Sequence, residues 1–237
     1  MTTTWTTPVR PAHHAEYSLV EAVLDGTFPP GFKLPAERRL AEQLGVTRPT
    51  LREALQRLER DGWITVRQGK QTVVNDFWKE GGLNVLGTLV EHSDHLNADF
   101  VENLLEIRLY LAPRYIAASV ERIPDEVVSI VGRYRDLPDL PEAFATFDWD
   151  LHRSLSIGSG NPIFTLILNG FAGFYERLAE IYFSVPETRE RSRRFYYDLE
   201  AAARREDSDT AQRVSHDVME DSIVLWRNTG AAALTIT

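Results

Sequence analysis

Apolar positions recur with a helical period at the start of the chain. Ala15, Leu19, Val20, Val23 and Leu24 fall on one face of a helix predicted over His13–Leu24, which Gly26, Pro29 and Pro30 stop. A second short helix reads from Ala36 to Leu44, and Gly45 breaks it. Thr47 then offers an N-cap oxygen to a third helix running to about Asp61, with Pro49 tolerated in its first turn and Gly62 at its end. The pattern changes to β-branched and aromatic runs at Trp63–Val66 and Thr72–Val74, which flank Gln68, Gly69 and Lys70 and predict a hairpin with a basic tip. Three helices and a hairpin make a winged helix-turn-helix.

Beyond Gly81 the strand signals vanish and amphipathic helical segments follow one another: Leu83–Val90, Ala98–Ser119, Asp125–Arg135, Glu142–Ile157, Pro162–Phe183, Glu187–Arg205 and Asp209–Asn228. The clearest boundary is Asn161 followed by Pro162, an N-cap acceptor before a residue whose missing N–H costs nothing at N1. The expected architecture is mostly α, with a winged helix at 1–75, a linker at 76–82, an all-helical effector domain at 83–230 and a tail at 231–237.

Charge divides the chain in the same place. The net charge of -9 opposes nucleic-acid binding if taken globally. Residues 1–75, however, carry 10 Lys and Arg against 8 Asp and Glu, and the remainder carries 16 against 27. The absence of cysteine excludes disulfides, thiolate metal sites and cysteine nucleophiles. With no apolar run long enough for a membrane span and no leader-like N-terminus, a cytoplasmic location is expected.

On the third helix Leu51, Ala54, Leu55 and Leu58 share an inward face toward Leu40, Leu44 and Trp63. Arg48 and Arg52 lie one turn apart near its N-terminus, where a recognition helix meets base edges, and the planar fork of arginine suits guanine O6 and N7. Arg38, at the start of the second helix, is placed to hold a backbone phosphate. The bland alternative for each arginine is a solvated helix face with partners such as Glu53 and Arg57, but eight basic against four acidic residues between Arg38 and Lys70 favour DNA.

The stretch LPAERRLAEQLGVTRPTLREALQRLERDGWITVRQGK resembles the DNA-binding domain of the GntR family, from Phe28 to Asn75. The helical partner resembles the ligand-sensing FadR-type subgroup, and VNDFW, SGNPI, LILNG and GFYERL extend that resemblance over nearly the whole chain. The resemblance implies a homodimer on a roughly palindromic operator in double-stranded DNA. It carries DNA contacts onto Arg38, Arg48, Thr50, Arg52, Gln68, Gly69 and Lys70, with Gln68 standing where the subgroup has histidine. It further implies long-chain fatty acyl-CoA as effector, no cofactor, and ligand contacts at Arg108, Tyr175, Tyr182, Ser222 and Trp226. Asp217 and Met219 depart from the subgroup's basic residue and glycine.

The residues of the helical domain leave some readings open. Arg108 lies in an apolar segment and pairs with a carboxylate such as Glu106 or Asp148, or with an anionic ligand. Gly170 and Gly173 inside the helix Pro162–Phe183 admit either close helix packing or an acyl channel, which Tyr175 and Tyr182, seven apart, would line. The rival effector that the subgroup resemblance implies is a small carboxylate on a divalent metal held by an Asp and three His; Asp148 and His152 have D-x-x-x-H spacing and His216 is a candidate third ligand, but the fourth ligand, an imidazole, is missing from the stretch Arg194–Tyr197, so no metal is expected. An acyl-CoA-processing enzyme is the third class, and no catalytic constellation supports it.

Overall fold

The computed structural model describes residues 11–67, 69–92 and 99–229 of the chain, which divides into compact units at 1–95 and 96–237. In the first unit, α1 (Pro11–Leu24), α2 (Glu37–Leu44) and α3 (Arg48–Asp61) precede strands β1 (Ile64–Thr65) and β2 (Val73–Val74). Thr47 caps α3 by accepting from the Thr50 N–H at 3.3 Å, and Gly45 closes α2 at φ 65°, a left-handed conformation that disfavours any side chain with a Cβ. Leu51, Ala54, Leu55 and Leu58 are all buried, with Leu40, Trp63 and the α1 face of Ala15, Leu19 and Val20, as the helical period requires; Leu44 is only partly buried. Arg57 ties α3 to Glu16 of α1 at 3.4 Å and to Glu53 at 2.6 Å.

The strands pair antiparallel, Ile64 with Val74 and Thr65 with Val73, and are shorter than the predicted runs. Val66 leaves the ladder because its N–H donates to the Glu59 carboxylate at 3.0 Å. On the other side of β2, Phe32 and Leu34 extend the pairing through Val74 N–H to Phe32 O and Leu34 N–H to Thr72 O, both at 2.9 Å. The stretch expected as a linker contains a helical turn, α4 (Phe77–Glu80), whose Phe77 ring meets Trp63 at 4.7 Å between centroids. A Cβ on Gly62 would stand 2.8 Å from the Glu80 carbonyl, so this close approach requires glycine. Helix α5 (Asn84–Glu91) completes the unit, with Asn84 donating to buried Asp61 at 3.1 Å.

The second unit is helical throughout its described residues: α6 (Phe100–Arg122), α7 (Pro124–Gly132), α8 (Pro141–Gly158), α9 (Pro162–Asn169), α10 (Ala172–Phe183), α11 (Pro186–Arg204) and α12 (Ser208–Thr229), with a 3-10 turn at Arg133–Asp136. Helices α6 and α12 pack along each other, α8 packs on α6 and α10, and α11 on α7 and α12. Phe144, Leu151, Leu155, Phe183, Phe195, Tyr196, Leu199 and Trp226 form the core. The single helix predicted over Pro162–Phe183 is two helices. The break falls at Gly170 and Phe171, so glycine there ends a helix rather than making room inside one. Gly173 is exposed in α10 and a Cβ on it would meet nothing within 4 Å, which removes both the packing and the channel reading for that residue.

No helix among the described residues is long and apolar enough to cross a membrane.

Candidate DNA-reading face and ligand cavity

The first candidate site is the exposed end of the helix-turn-helix. Arg48 opens α3 and Arg38 lies in the first turn of α2; both are exposed, and neither meets an acidic partner among the described residues. Arg52 is engaged: its Nε donates to Glu37 of α2 at 2.8 Å. That bond uses one edge of the guanidinium and aims the fork. The pair is more than one-third exposed on both sides, so its value is orientation rather than stability. The Thr50 hydroxyl lies 2.8 Å from that of Thr47, which ties it to the cap of α3. At the wing, the Lys70 N–H donates to the Arg67 carbonyl at 3.0 Å, closing a turn that presents Gly69 and Lys70 to solvent. Gln68 lies outside the described residues.

The second candidate site is an apolar cavity of about 100 Å³ in the helical unit. Arg108, Tyr175, Tyr182, Ser222 and Trp226, which come from α6, α10 and α12, all line it. Helix α6 contributes Val101, Leu104, Leu105, Arg108, Leu111 and Tyr115, a run in steps of three and four that holds one helix face toward the cavity. The Ser222 hydroxyl donates to the Met219 carbonyl at 2.6 Å. Met219 is buried beside it and Asp217 is exposed.

The polar floor of the cavity is organised by Asp148 of α8. Its Oδ2 accepts from Arg108 Nη2 at 2.7 Å and from the Tyr175 hydroxyl, and its Oδ1 accepts from the Tyr196 hydroxyl at 3.1 Å. Burial pushes the Asp148 carboxyl up, but the guanidinium and the two hydroxyls outweigh it and hold the carboxyl below its ordinary value. Arg108 therefore finds its partner in Asp148 rather than Glu106, and its charge is already matched. One turn along α8, His152 receives Arg108 Nη2 at 2.7 Å on Nε2 and meets Tyr115 Oη at 2.7 Å on Nδ1. Burial and the adjacent guanidinium push the imidazole down to about 3, so His152 is neutral.

These contacts bear on the D-x-x-x-H spacing. A guanidinium occupies the space before Asp148 and His152 where a divalent cation would have to sit, and both nitrogens of His152 are engaged. His216 is exposed on α12, 3.9 Å from Asp217. Among the described residues no group of three or more metal-ligating side chains exists. Tyr115 and Tyr196 were not visible as site residues in sequence. Tyr115 had a signal, lying seven residues from Arg108 on the same helix face, whereas Tyr196 reaches Asp148 only through the tertiary fold.

Comparison with known proteins joins the two sites. Residues 11–74 match the family of bacterial regulatory proteins named gntR, and residues 75–233 match the FadR C-terminal domain. The chain belongs to the FadR group of the gntR family. It is 45% identical over 195 residues to the fatty acid metabolism regulator protein of Shewanella amazonensis, covering 82% of this chain and 81% of that one. The protein of the same name from Pectobacterium carotovorum is 41% identical over 222 residues, covering 94% and 93%. Among solved structures, that of Lar, described as controlling expression of the Listeria monocytogenes agr system, covers 95% of this chain and 99% of its own at a TM-score of 0.61 and 17% identity, a likeness of fold alone. This FadR-type chain is a DNA-binding transcription regulator and not an enzyme.

Proposed function

We propose that the chain regulates genes of fatty acid metabolism as a homodimer on a palindromic operator, and that long-chain fatty acyl-CoA in the helical-domain cavity releases it from DNA. The observation that carries the effector is the convergence of Arg108, Tyr175, Tyr182, Ser222 and Trp226 on one apolar cavity. Burying an alkyl chain there gains about 0.8 kcal/mol per methylene. The names of the relatives from Shewanella and Pectobacterium, fatty acid metabolism regulator protein, support the target genes. A dimer fits because one small reading head contacts few base pairs, and two heads on two half-sites supply the specificity.

On DNA, Arg48 and Arg52 read base edges in the major groove, Arg38 holds phosphate, and the wing with Gly69 and Lys70 reaches the adjacent groove. Acyl-CoA releases the protein by binding more tightly to the conformation whose heads do not fit the operator; equal affinity for both conformations would release nothing. The test is calorimetric titration with long-chain acyl-CoA, followed by fluorescence anisotropy on a duplex recovered by selection from a random pool. The expected result is saturable binding and loss of the anisotropy signal at the same concentrations. Tight duplex binding that acyl-CoA leaves unchanged would refute the effector assignment.

A further inference from the structure

Four tyrosines surround the polar floor of the cavity, and their hydroxyl hydrogens are not equally committed. Tyr175 and Tyr196 donate to Asp148. Tyr182 Oη is buried and meets no hydrogen-bond partner among the described residues, and Tyr182 lines the cavity. Tyr115 is decided by the chain of contacts through His152. A guanidinium has no lone pair to offer, so across the 2.7 Å contact Arg108 Nη2 donates and His152 Nε2 accepts. A neutral imidazole with its lone pair on Nε2 carries its one proton on Nδ1. That proton therefore goes to Tyr115 Oη, 2.7 Å away, and the phenol accepts. The hydrogen of Tyr115 itself is left without an acceptor among the described residues, on a side chain 4% exposed that lines the same cavity.

Two buried hydroxyl hydrogens thus open onto one cavity. Such groups are destabilising unless an acceptor arrives. Resting on the acyl-CoA reading above, we infer that Tyr115, with Tyr182, donates a hydrogen bond to the thioester carbonyl oxygen of the bound ligand. The acceptor is uncharged because Arg108, the one cation among the described residues that line the cavity, is already matched by Asp148. A carboxylate would place a second anion beside Asp148 with nothing to neutralise it. A carbonyl oxygen brings two lone pairs and no charge, and the apolar remainder of the lining takes the alkyl chain. In this arrangement Arg108 is a positioning residue: by occupying His152 Nε2 it fixes the tautomer that turns Tyr115 into a donor toward the ligand.

The test compares palmitoyl-CoA with S-hexadecyl-CoA, a thioether of matched chain length that lacks the carbonyl, on the full-length protein. Wild type should bind the thioester about 10-fold more tightly, and Tyr115→Phe should lose about 5- to 10-fold for palmitoyl-CoA while changing less than about 2-fold for the thioether. Infrared spectra of palmitoyl-CoA labelled with carbon-13 at the carbonyl should show the stretch lowered on wild type and returned toward its free position on Tyr115→Phe. Equal losses for both ligands with an unmoved band would make Tyr115 merely structural and overturn the inference. Should Tyr115→Phe fail to fold, Tyr182→Phe serves, since its hydroxyl bonds nothing among the described residues. A reduced preference for the thioester in that variant, with the band shifted back, supports the donor pair, and an unchanged preference overturns it. Failure of the underlying reading looks different: wild type would then bind neither ligand.

Discussion

His152 gives the helical unit a pH dependence whose sign and size follow from its surroundings. Burial and the guanidinium of Arg108 push its imidazole down to about 3, against about 6.5 for an unfolded chain. Between those values the unfolded state binds a proton that the folded state refuses, so stability falls as pH drops through 6.5 and the loss ends near 3. At 1.36 kcal/mol per unit, moving from pH 7.5 to pH 5 should remove about 2 kcal/mol, out of roughly 5 kcal/mol over the whole window. Asp148, whose carboxyl is also held low, adds a loss of the same sign only below its ordinary value of 3.8. The assay equilibrates the full-length protein in urea at pH 7.5 or 5, applies a brief deuterium pulse at one common pH, and reads α6 and α8 peptides by mass spectrometry. Those peptides should unfold at lower urea at pH 5, and His152→Gln should flatten the difference. Midpoints that do not move with pH in wild type, or that move equally in His152→Gln, would show that His152 is not a buried neutral group.

Three further outcomes follow from the same contacts. Asp148→Ala leaves the half-buried Arg108 without its partner and should cost about 3–5 kcal/mol, while Arg108→Met combined with Asp148→Leu should recover the part due to the unpaired guanidinium but not the part due to the Tyr175 and Tyr196 hydroxyls left without an acceptor, both measured by urea midpoints. Gly173→Ala replaces an exposed helical glycine whose Cβ meets nothing, so it should stabilise α10 by about 1 kcal/mol and leave acyl-CoA affinity unchanged; destabilisation would show that the space is needed. Arg48→Ala should cost roughly 1 to 3 kcal/mol of operator affinity and relax base preference, and wild-type affinity should fall steeply with salt, both read by anisotropy. An unchanged Arg48→Ala affinity would remove that residue from the reading face.

The winged helix was legible in sequence because each of its devices is local. Thr47 before Arg48, Gly45 after Leu44 and the spacing of Leu51, Ala54, Leu55 and Leu58 each fix their own few residues, and the structure keeps all of them. Where one of those elements is shorter than predicted, a side chain competed with the backbone: Glu59 takes the Val66 N–H out of the ladder. Periodicity alone could not see the break at Gly170, because α9 and α10 are both apolar on their cavity-facing positions and the pattern runs on through the turn.

The chemistry of the cavity was legible only in part, and the reason is sequence distance. Asp148 and His152, four residues apart on α8, have the spacing of half a metal site as well as that of a buried pair, and in sequence only the missing fourth ligand weighs against the metal. What decides between them is Arg108, 40 residues from Asp148 and 44 from His152, and no spacing rule connects residues that far apart. Once the guanidinium is in place the remaining freedoms close in order. Arg108 can only donate, so Nε2 of His152 can only accept, so Nδ1 carries the proton, and Tyr115, 37 residues away on α6, must turn its own hydrogen elsewhere. A carboxylate and an imidazole spaced like metal ligands thereby form a fixed dipolar floor, and the group this floor can still recognise is a neutral acceptor rather than an ion.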